Sequence, residues 1–427
     1  MFALSKISYC TEENFMVSYS VMLKKGTEVM YGSASKKLGI YIHIPFCRTK
    51  CAYCDFYSFI PKGEEIYERY TNALMKHMEA YREAARDRVP DTVYIGGGTP
   101  TALPAEQLIR IIKAVKRNFK LSKNTEFTVE VNPKTCDYKT FVRLRRAGVN
   151  RISIGLQSAD AGELKSLTRS HSRADFEECF KDARAAKIKN ISVDLMFGIP
   201  NQTVRSLLSS IDYLTRLHPD HISLYDLKIE EGTPYFKIRD RLILPDEDTE
   251  FEMYTRAIEM LERRGYRQYE ISNFARPGKM SRHNLKYWNC EEYLGFGPGA
   301  YSYFNSTRFS FARNLEAYIR GVEDPQSRIN MSEGVEQITG KAQLGEYIML
   351  GLRLNDGISM SEIARRYGVD FGVLYGKKAE KYINYGYMVK RGDRLFLTPQ
   401  GMFISNYILS DLLSFEDLGA LSPANNF

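Results

Sequence analysis

Long hydrophobic runs, paired cysteines and dense basic clusters are all scarce in this 427-residue chain. No uninterrupted apolar run approaches the roughly 18 residues that a membrane-spanning helix needs. The seven cysteines are odd in number and three of them lie between positions 47 and 54, which excludes a disulfide framework. The net charge of +8 is modest for this length and is spread along the chain, so we expect no nucleic-acid partner.

The first residues lack the ordered basic, apolar and small-residue segments of a secretory signal peptide. Residues 1–36 are expected to form a disordered N-terminal extension, in which Cys10 is an incidental thiol. A clustered set of reduced thiols requires a reducing compartment, so the sequence predicts a cytoplasmic protein.

The most informative feature is the triplet Cys47, Cys51 and Cys54, which follows a strand-like stretch. Four cysteines normally hold a [4Fe-4S] cluster. Three cysteines in a local loop therefore leave one iron without a protein ligand, which is the kind of open position that catalytic metal sites keep. The alternative is a zinc site completed by His43 or by a distant cysteine, although no second Cys-x-x-Cys knuckle is present.

The Cys-x3-Cys-x2-Cys spacing resembles the signature of the radical S-adenosylmethionine superfamily. The flanking residues, from Tyr41 to Cys47 and then Asp55 and Phe56, resemble the branch that contains oxygen-independent coproporphyrinogen III dehydrogenase and the haem chaperone HemW. The resemblance runs from about residue 38 to about residue 410. It implies that the open iron binds S-adenosylmethionine and that an electron from the reduced cluster cleaves it.

Short β-branched runs alternate with helical segments from residue 38 to residue 227, giving six strands and five helices. This rhythm predicts an α/β fold with a parallel sheet that curls into a partial (β/α)6 barrel. In such barrels the functional residues lie at the carboxyl ends of the strands. We predict five segments: the extension 1–36, a core barrel 37–270, a haem-motif linker region 271–337, a winged-helix-like C-terminal domain 338–413 and a tail 414–427.

Several polar residues and glycines fall at predicted strand ends. Glycines let backbone approach a ligand closely, and Glu130 is an acid inside an apolar strand that needs a partner. That partner is either a cofactor or, as the alternative, a structural Arg or Lys. The resemblance implies that the S-adenosylmethionine contacts are Tyr41, Tyr53, Gly97, Gly98, Thr99, Glu130, Gln157, Arg169 and Asp194.

Tyr41 and His43 lie two residues apart on one strand and therefore share a face. If Tyr41 faces the cluster, His43 faces it too. A histidine satisfied inside the barrel is the alternative to a functional one, and no residue is assigned a catalytic role.

A second motif, from Arg282 to Trp288, contains the only tryptophan of the chain. Imidazole is a common axial ligand of haem iron, and aromatic faces stack on flat ring systems. The pattern His-Asn-x-x-Tyr-Trp resembles the haem-binding motif of the HemW branch, which implies haem binding by His283, Asn284, Tyr287 and Trp288. A histidine that only packs against neighbouring aromatic residues is the alternative.

Phe56 distinguishes the two activities of the branch, because the dehydrogenases carry a further cysteine at that position. The sequence therefore favours a haem chaperone that carries a [4Fe-4S] cluster and S-adenosylmethionine and delivers haem to haem-requiring, respiratory acceptor proteins, membrane-associated ones included. The second reading is an oxygen-independent coproporphyrinogen III dehydrogenase, and the third is a radical-based RNA-modifying enzyme that uses the C-terminal module as its RNA grip. Whether the protein is an enzyme is left open, as is a homodimer.

Overall fold

The computed structural model describes residues 36–324 and 332–414. The predicted extension and tail lie outside this range, apart from residues 36 and 414. No helix in the described residues is long and apolar enough to cross a membrane.

Six parallel strands form the centre of the fold, and helices follow them along the chain. The strands are β1 (Lys36–Ile44), β2 (Arg88–Gly97), β3 (Glu126–Val131), β4 (Arg151–Gln157), β5 (Asn190–Phe197) and β6 (His221–Asp226). The helices are α1 (Glu65–Ala80), α2 (Ala105–Asn118), α3 (Tyr138–Ala147), α4 (Ala161–Ser166), α5 (Arg173–Ala185) and α6 (Val204–Arg216). This order confirms the predicted α/β barrel class; the short helix α4 is additional to the five predicted helices.

Alternation along the strands separates two faces of the curved sheet. One face carries aliphatic residues such as Ile40, Val93 and Val129, which belong to the hydrophobic core shared with the helices. The other face carries polar side chains that bond one another across strands, for example Tyr94 to Glu130 and Ser153 to Asp194. The sequence thus builds an apolar layer under the helices and a polar interior for the barrel.

Local capping explains where several helices begin. Asp137 accepts a hydrogen bond from the N–H of Thr140 at the start of α3, and Ser172 and Asp175 form a capping box at the start of α5. Gly148 ends α3 in the left-handed conformation (φ 106°), which a residue without Cβ adopts easily. These caps fix the lengths of the helices that return the chain to the next parallel strand.

The region predicted as a linker, 271–337, is part of the sheet. Two helices follow β6, namely α7 (Pro234–Lys237) and α8 (Glu247–Arg263). Further strands then extend the sheet on both sides of the six parallel strands, which gives it twelve strands within the described residues. The added elements are β7 (Arg267–Glu270), β8 (Asn273–Ala275), α9 (Arg282–Trp288), β9 (Tyr293–Phe296), β10 (Tyr301–Phe304), β11 (Thr307–Phe311), α10 (Leu315–Glu323) and β12 (Ser332–Gln337). β9 pairs in parallel with β1, and β8 pairs antiparallel with β6, so this stretch extends the barrel instead of linking two bodies.

The C-terminal part is helical with a small three-stranded sheet in the order β13-β15-β14. Its elements are α11 (Lys341–Gly351), β13 (Ile358–Ser359), α12 (Met360–Tyr367), α13 (Phe371–Asn384), β14 (Met388–Arg391), β15 (Arg394–Leu397), α14 (Pro399–Phe403) and α15 (Ser405–Leu412). Backbone hydrogen bonds join this part to the barrel at Ile271 and Tyr269.

Candidate cluster and cofactor site

The three clustered cysteines lie in a loop that leaves the carboxyl end of β1. The backbone N–H of Cys47 donates to the carbonyl of Phe59 (3.0 Å), and the N–H of Cys54 donates to the carbonyl of Cys51 (3.2 Å). Cys47 is buried, whereas Cys51 and Cys54 are partly exposed. The loop therefore presents thiols at the carboxyl end of the strands, where barrels of this class hold their functional groups.

Lys50 holds the cysteine loop closed. Its ammonium donates to the carbonyls of Phe56 (2.7 Å) and Ser58 (3.0 Å) and to the Ser58 hydroxyl (2.9 Å), so all three donors are used. Burial raises the pKa of the Cys54 thiol, and the positive charge of Lys50 opposes this rise. Metal coordination deprotonates a thiol outright, so this partly buried set of thiols suits an iron-sulfur cluster.

Glycines let the end of β2 lie against the cysteine loop. The N–H of Gly98 donates to the Ile44 carbonyl (2.7 Å) and that of Thr99 to the Phe46 carbonyl (2.8 Å). Gly97 has φ 112°, and a Cβ there would lie 2.8 Å from the His43 ring. The Thr99 hydroxyl lies 3.7 Å from the Cys47 sulfur. The predicted glycine loop and cysteine triplet are thus one structural unit.

The zinc alternative finds no support in this geometry. Within residues 36–324 and 332–414, no three His, Cys, Asp or Glu side chains are arranged around a single metal ion. Both ring nitrogens of His43 are in use: Nδ1 accepts from the Tyr41 hydroxyl (3.0 Å) and Nε2 donates to the Tyr57 carbonyl (2.8 Å). Burial lowers the pKa of His43 to about 4, so the ring is neutral at physiological pH. His43 is therefore a satisfied interior histidine, the alternative that the sequence left open.

Glu130 is a buried carboxyl inside the barrel. Oε1 accepts from the Tyr94 hydroxyl (2.7 Å) and Oε2 from the N–H of Gly97 (3.2 Å). Burial raises its pKa to about 7, and the nearby carboxylate of Asp194 adds to the rise. No ion pair of Glu130 with a basic side chain occurs in the described part of the chain. The alternative, a structural ion pair of Glu130 with an Arg or Lys, is therefore not found in the described residues.

Asp194, on β5, is also buried in the interior. Its carboxylate accepts from the Ser153 hydroxyl (3.1 Å), and burial raises its pKa. Two buried carboxyls side by side offer acceptor oxygens to a polar or cationic ligand.

Gln157 and Arg169 meet at the end of β4, where a β-bulge interrupts the pairing with β5. Gln157 has φ 71°, and its Oε1 accepts from the Tyr225 hydroxyl (2.7 Å). Arg169 donates to the Gly155 carbonyl (3.0 Å) and lies 3.5 Å from the Cys51 sulfur. Its Nε is buried and lacks a hydrogen-bond partner. Bulges are often found next to functional sites, and here Arg169 donates to the Gly155 carbonyl at the bulge and reaches the Cys51 sulfur of the cysteine loop.

Tyr53 and Tyr41 complete the predicted set. Tyr53 packs on a small apolar cluster that includes Leu167, Met196 and Tyr235, and burial raises the pKa of its hydroxyl. Tyr41 lies inside the barrel, where its ring is 6.3 Å from that of Tyr94. Tyr41 thus faces the interior together with His43, as their spacing predicts.

These contacts provide a test of whether the residues fit S-adenosylmethionine. The glycine loop exposes backbone where a Cβ would collide with neighbours, Glu130 and Asp194 offer buried oxygens, and Arg169 offers a buried N–H without a partner. Polar, apolar and aromatic groups converge beside the thiols, as ligand sites require. The residues fit the cofactor.

His283 does not fit the predicted role of iron ligand in this structure. It is only 1% exposed; its Nδ1 pairs with the Thr92 hydroxyl (2.8 Å) and its Nε2 with the Tyr287 hydroxyl (2.9 Å). Burial lowers its pKa to about 3. An iron atom would have to displace one of these hydrogen bonds inside the barrel. Helical periodicity in 282–288 turns this side chain inward, which the motif alone does not reveal.

The other motif residues lie on the same helix with more exposure. Asn284, Tyr287 and Trp288 are each partly buried, and the Tyr287 ring packs edge-on against that of Tyr293 at 4.7 Å. These three side chains therefore remain candidates for contact with a large planar ligand.

Sequence reasoning missed several residues that shape the site, namely Lys50, Tyr57, Thr92, Tyr94, Asn132 and Tyr225. Tyr94 carried a usable signal, because it lies two residues before Gly96 and so shares its face of β2. Lys50 and Tyr57 act within or close to the cysteine loop. Thr92, Asn132 and Tyr225 act through contacts between segments far apart in the sequence, for which no local pattern exists.

Comparison with known proteins places the chain in a family. The model of the radical SAM superfamily matches residues 41–214, and the model of the HemN C-terminal domain matches residues 338–404. The heme chaperone HemW of Bacillus subtilis is 36% identical over 378 residues, which cover 87% of this chain and 98% of the relative. The chain belongs to the HemW family of radical S-adenosylmethionine proteins.

Other members and a solved structure agree. The HemW of Lactococcus lactis is 33% identical, covering 87% of this chain and 96% of its own. The coproporphyrinogen III oxidase HemN of Escherichia coli, described as a radical SAM enzyme, superposes with a TM-score of 0.78 at 20% identity, covering 89% of this chain and 91% of that one. The latter likeness establishes the fold that the HemW family shares with HemN.

Proposed function

We propose that this protein is a haem chaperone, which binds haem and delivers it to haem-requiring proteins. The observation that carries the proposal is the similarity to heme chaperones named HemW over 94–98% of the length of the bacterial relatives from Bacillus, Lactococcus and Mycobacterium. The similarity includes the C-terminal module, so the proposal concerns the whole described chain.

The proposed metal centre is a [4Fe-4S] cluster held by Cys47, Cys51 and Cys54. The proposed cofactor site next to it is formed by Tyr41, Tyr53, Gly97, Gly98, Thr99, Glu130, Gln157, Arg169 and Asp194. When bound, the cluster and S-adenosylmethionine supply one-electron radical chemistry. The residues themselves bind and orient: the glycine loop offers backbone groups, Glu130 accepts hydrogen bonds, and Arg169 donates beside Cys51.

The proposed haem contact is the partly exposed side of α9, through Asn284, Tyr287 and Trp288. His283 is omitted from this contact because both of its nitrogens are bonded in the interior. The proposed acceptors are haem-requiring proteins of respiration, reached from the cytoplasm or at a membrane surface.

Phe56 supports the chaperone over a coproporphyrinogen dehydrogenase. The dehydrogenases that the sequence resembles carry a further cysteine at this position, and a phenylalanine cannot supply that thiol. The dehydrogenase remains the second candidate because HemN shares the fold.

An anaerobic haem titration of the cluster-reconstituted protein tests the proposal. Saturable binding, followed by transfer to an added apo-haemoprotein, is the expected result. Weak, unsaturable binding together with turnover of coproporphyrinogen under reducing conditions would replace the chaperone with the dehydrogenase.

A further inference from the structure

His283 forms part of a column of aromatic rings inside the barrel. Its imidazole stacks on Tyr94 at 5.3 Å with an interplanar angle of 23°, and on Tyr41 at 6.5 Å with an angle of 30°. Gly39 leaves room for the ring, because a Cβ there would lie 3.4 Å from the imidazole and 2.9 Å from Lys286. The ring is therefore wedged against the inner faces of β1 and β2.

Hydrogen bonds fix the orientation of this ring. Nδ1 pairs with the hydroxyl of Thr92 on β2, and Nε2 pairs with that of Tyr287, one helical turn further along α9. Thr92 and Tyr94 alternate along β2 and face the same side. His283 is thus attached to the strand that carries Tyr94 and continues into the glycine loop.

The helix that bears His283 is itself anchored to the barrel. The backbone N–H groups of Arg282 and His283 donate to the carboxylate of Glu126 on β3, at 3.2 and 3.1 Å. Lys286, 3% exposed, pairs with Asp91 at 2.7 Å. Because α9 is anchored in this way, the His283 imidazole is held in place and can support the Tyr94 ring that stacks on it.

The Tyr94 ring, which stacks on His283, extends to the proposed cofactor site. Its hydroxyl donates to Glu130 Oε1 at 2.7 Å, and the other oxygen of Glu130 accepts from Gly97 at 3.2 Å. A direct series of contacts therefore runs from His283 through Tyr94 and Glu130 to the glycine loop.

We infer that His283 is a positioning residue for the S-adenosylmethionine site and not a ligand of haem iron. It holds the Tyr94 ring by stacking, and Tyr94 in turn holds the carboxyl of Glu130 toward the cofactor. The inference rests on the proposed function in one respect, namely that Glu130 contacts S-adenosylmethionine. His283, the histidine of the haem motif, is thereby assigned to the S-adenosylmethionine site and not to haem.

The test measures S-adenosylmethionine affinity by equilibrium dialysis of the anaerobic, cluster-reconstituted protein, with iron content and haem titrations run on the same samples. His283→Ala is expected to weaken cofactor binding about tenfold, because loss of the stacked ring frees Tyr94 to move and costs about as much as losing its hydrogen bond to Glu130. Its iron content and haem affinity should stay near those of the unmodified protein. His283→Phe keeps a ring in the stack but has no iron-binding nitrogen, so it should retain most of the cofactor affinity and all of the haem absorbance band.

Tyr94→Phe supplies the second arm, because it keeps the ring and removes the hydroxyl that Glu130 accepts. It should weaken cofactor binding about tenfold, and adding His283→Ala to it should cause little further loss. This non-additivity is a result that general destabilisation would not produce. If the alanine variant does not fold, His283→Leu removes the aromatic ring while keeping most of the side-chain volume, and the same double-variant comparison applies.

Two outcomes would overturn the inference. One is loss of haem binding in both His283→Ala and His283→Phe with unchanged cofactor affinity, which would make His283 the iron ligand. The other is a double variant whose loss of S-adenosylmethionine affinity equals the product of the Tyr94→Phe and His283→Ala losses. This result would show that His283 does not act through Tyr94. Failure of the unmodified protein to bind haem would overturn the proposed function instead, and the cofactor comparison between variants would still stand.

Discussion

Gly98 lies directly against Cys47. A Cβ on Gly98 would approach the Cys47 sulfur to 3.0 Å and the Phe46 carbonyl oxygen to 2.7 Å. The N–H of Gly98 also donates to the Ile44 carbonyl just before the cysteine loop. The cysteine loop and the glycine loop therefore hold each other in place, although 50 residues lie between Cys47 and Gly98 in the sequence.

Gly98→Ala is expected to displace the Cys47 backbone and lower the iron content of the purified protein. The added methyl meets backbone and a cluster thiol, neither of which can rotate away, so we expect about 1–3 kcal/mol of strain. Iron and sulfide analysis with the visible absorbance of the reconstituted protein measures the effect. Gly376→Ala is the matched control, because that position lies inside α13 with no atom within 4 Å of the added methyl. Equal iron content in the two variants would contradict the packing argument.

Cys51→Ala is expected to abolish the iron-sulfur absorbance and most of the iron, since two thiols cannot replace three as cluster ligands. Cys136→Ala serves as the control, because Cys136 lies outside the loop and is also a partly exposed free thiol. Anaerobic reconstitution followed by iron and sulfide determination distinguishes them. Retention of a full cluster in Cys51→Ala would refute the proposed ligand set.

Arg169→Lys is expected to weaken S-adenosylmethionine binding while the cluster stays. Lysine keeps the positive charge but loses the planar fork that spans Cys51 and Gly155 and presents the unpartnered Nε. We expect a loss of about tenfold in cofactor affinity. Equilibrium dialysis and iron analysis on the same sample check it. Loss of iron along with cofactor would instead mean that Arg169 stabilises the cysteine loop.

Periodicity sufficed to predict the barrel, and motif position predicts where the proposed site lies in it. The run from Lys36 to Ile44 alternates its faces, and the cysteines follow at its carboxyl end. Both signals are local, so they appear in the sequence. The structure places Gly98 and Arg169 against the cysteine loop and Glu130 against the glycine loop, as expected for residues at the carboxyl ends of barrel strands.

The haem motif and the region 271–337 were harder to interpret, for a physical reason. β9 pairs with β1 across more than 250 residues, and no local pattern encodes such a pairing. The inward direction of His283 depends on this arrangement, because α9 is anchored by Glu126 and Asp91 from strands far away in sequence. A motif gives residue types and spacing, whereas the side on which a ligand can approach is set by these long-range contacts.

Buried neutral histidines predict that the protein loses stability in mild acid. Burial lowers the pKa of His171 to about 4, and its Nε2 donates to the Leu156 carbonyl at the β-bulge (3.1 Å). In the unfolded chain a histidine has a pKa of about 6.5. Between pH 6.5 and pH 4 the unfolded state therefore binds a proton that the folded state does not bind. The contribution of neutral His171 to the free energy of unfolding is complete above pH 6.5 and is lost as the pH falls toward 4.

We therefore expect the free energy of unfolding to fall between pH 6.5 and pH 5, with His171 accounting for up to about 1.4 kcal/mol per pH unit. His171→Gln should reduce this slope, because the amide can still donate to the Leu156 carbonyl but does not titrate. Urea denaturation at pH 7.5, 6.0 and 5.0 measures the slopes, with His218→Gln as a control at a solvent-exposed histidine. Parallel curves for the unmodified protein and His171→Gln would show that His171 becomes charged in the folded state, so that the β-bulge whose Leu156 carbonyl it contacts would have to tolerate an imidazolium.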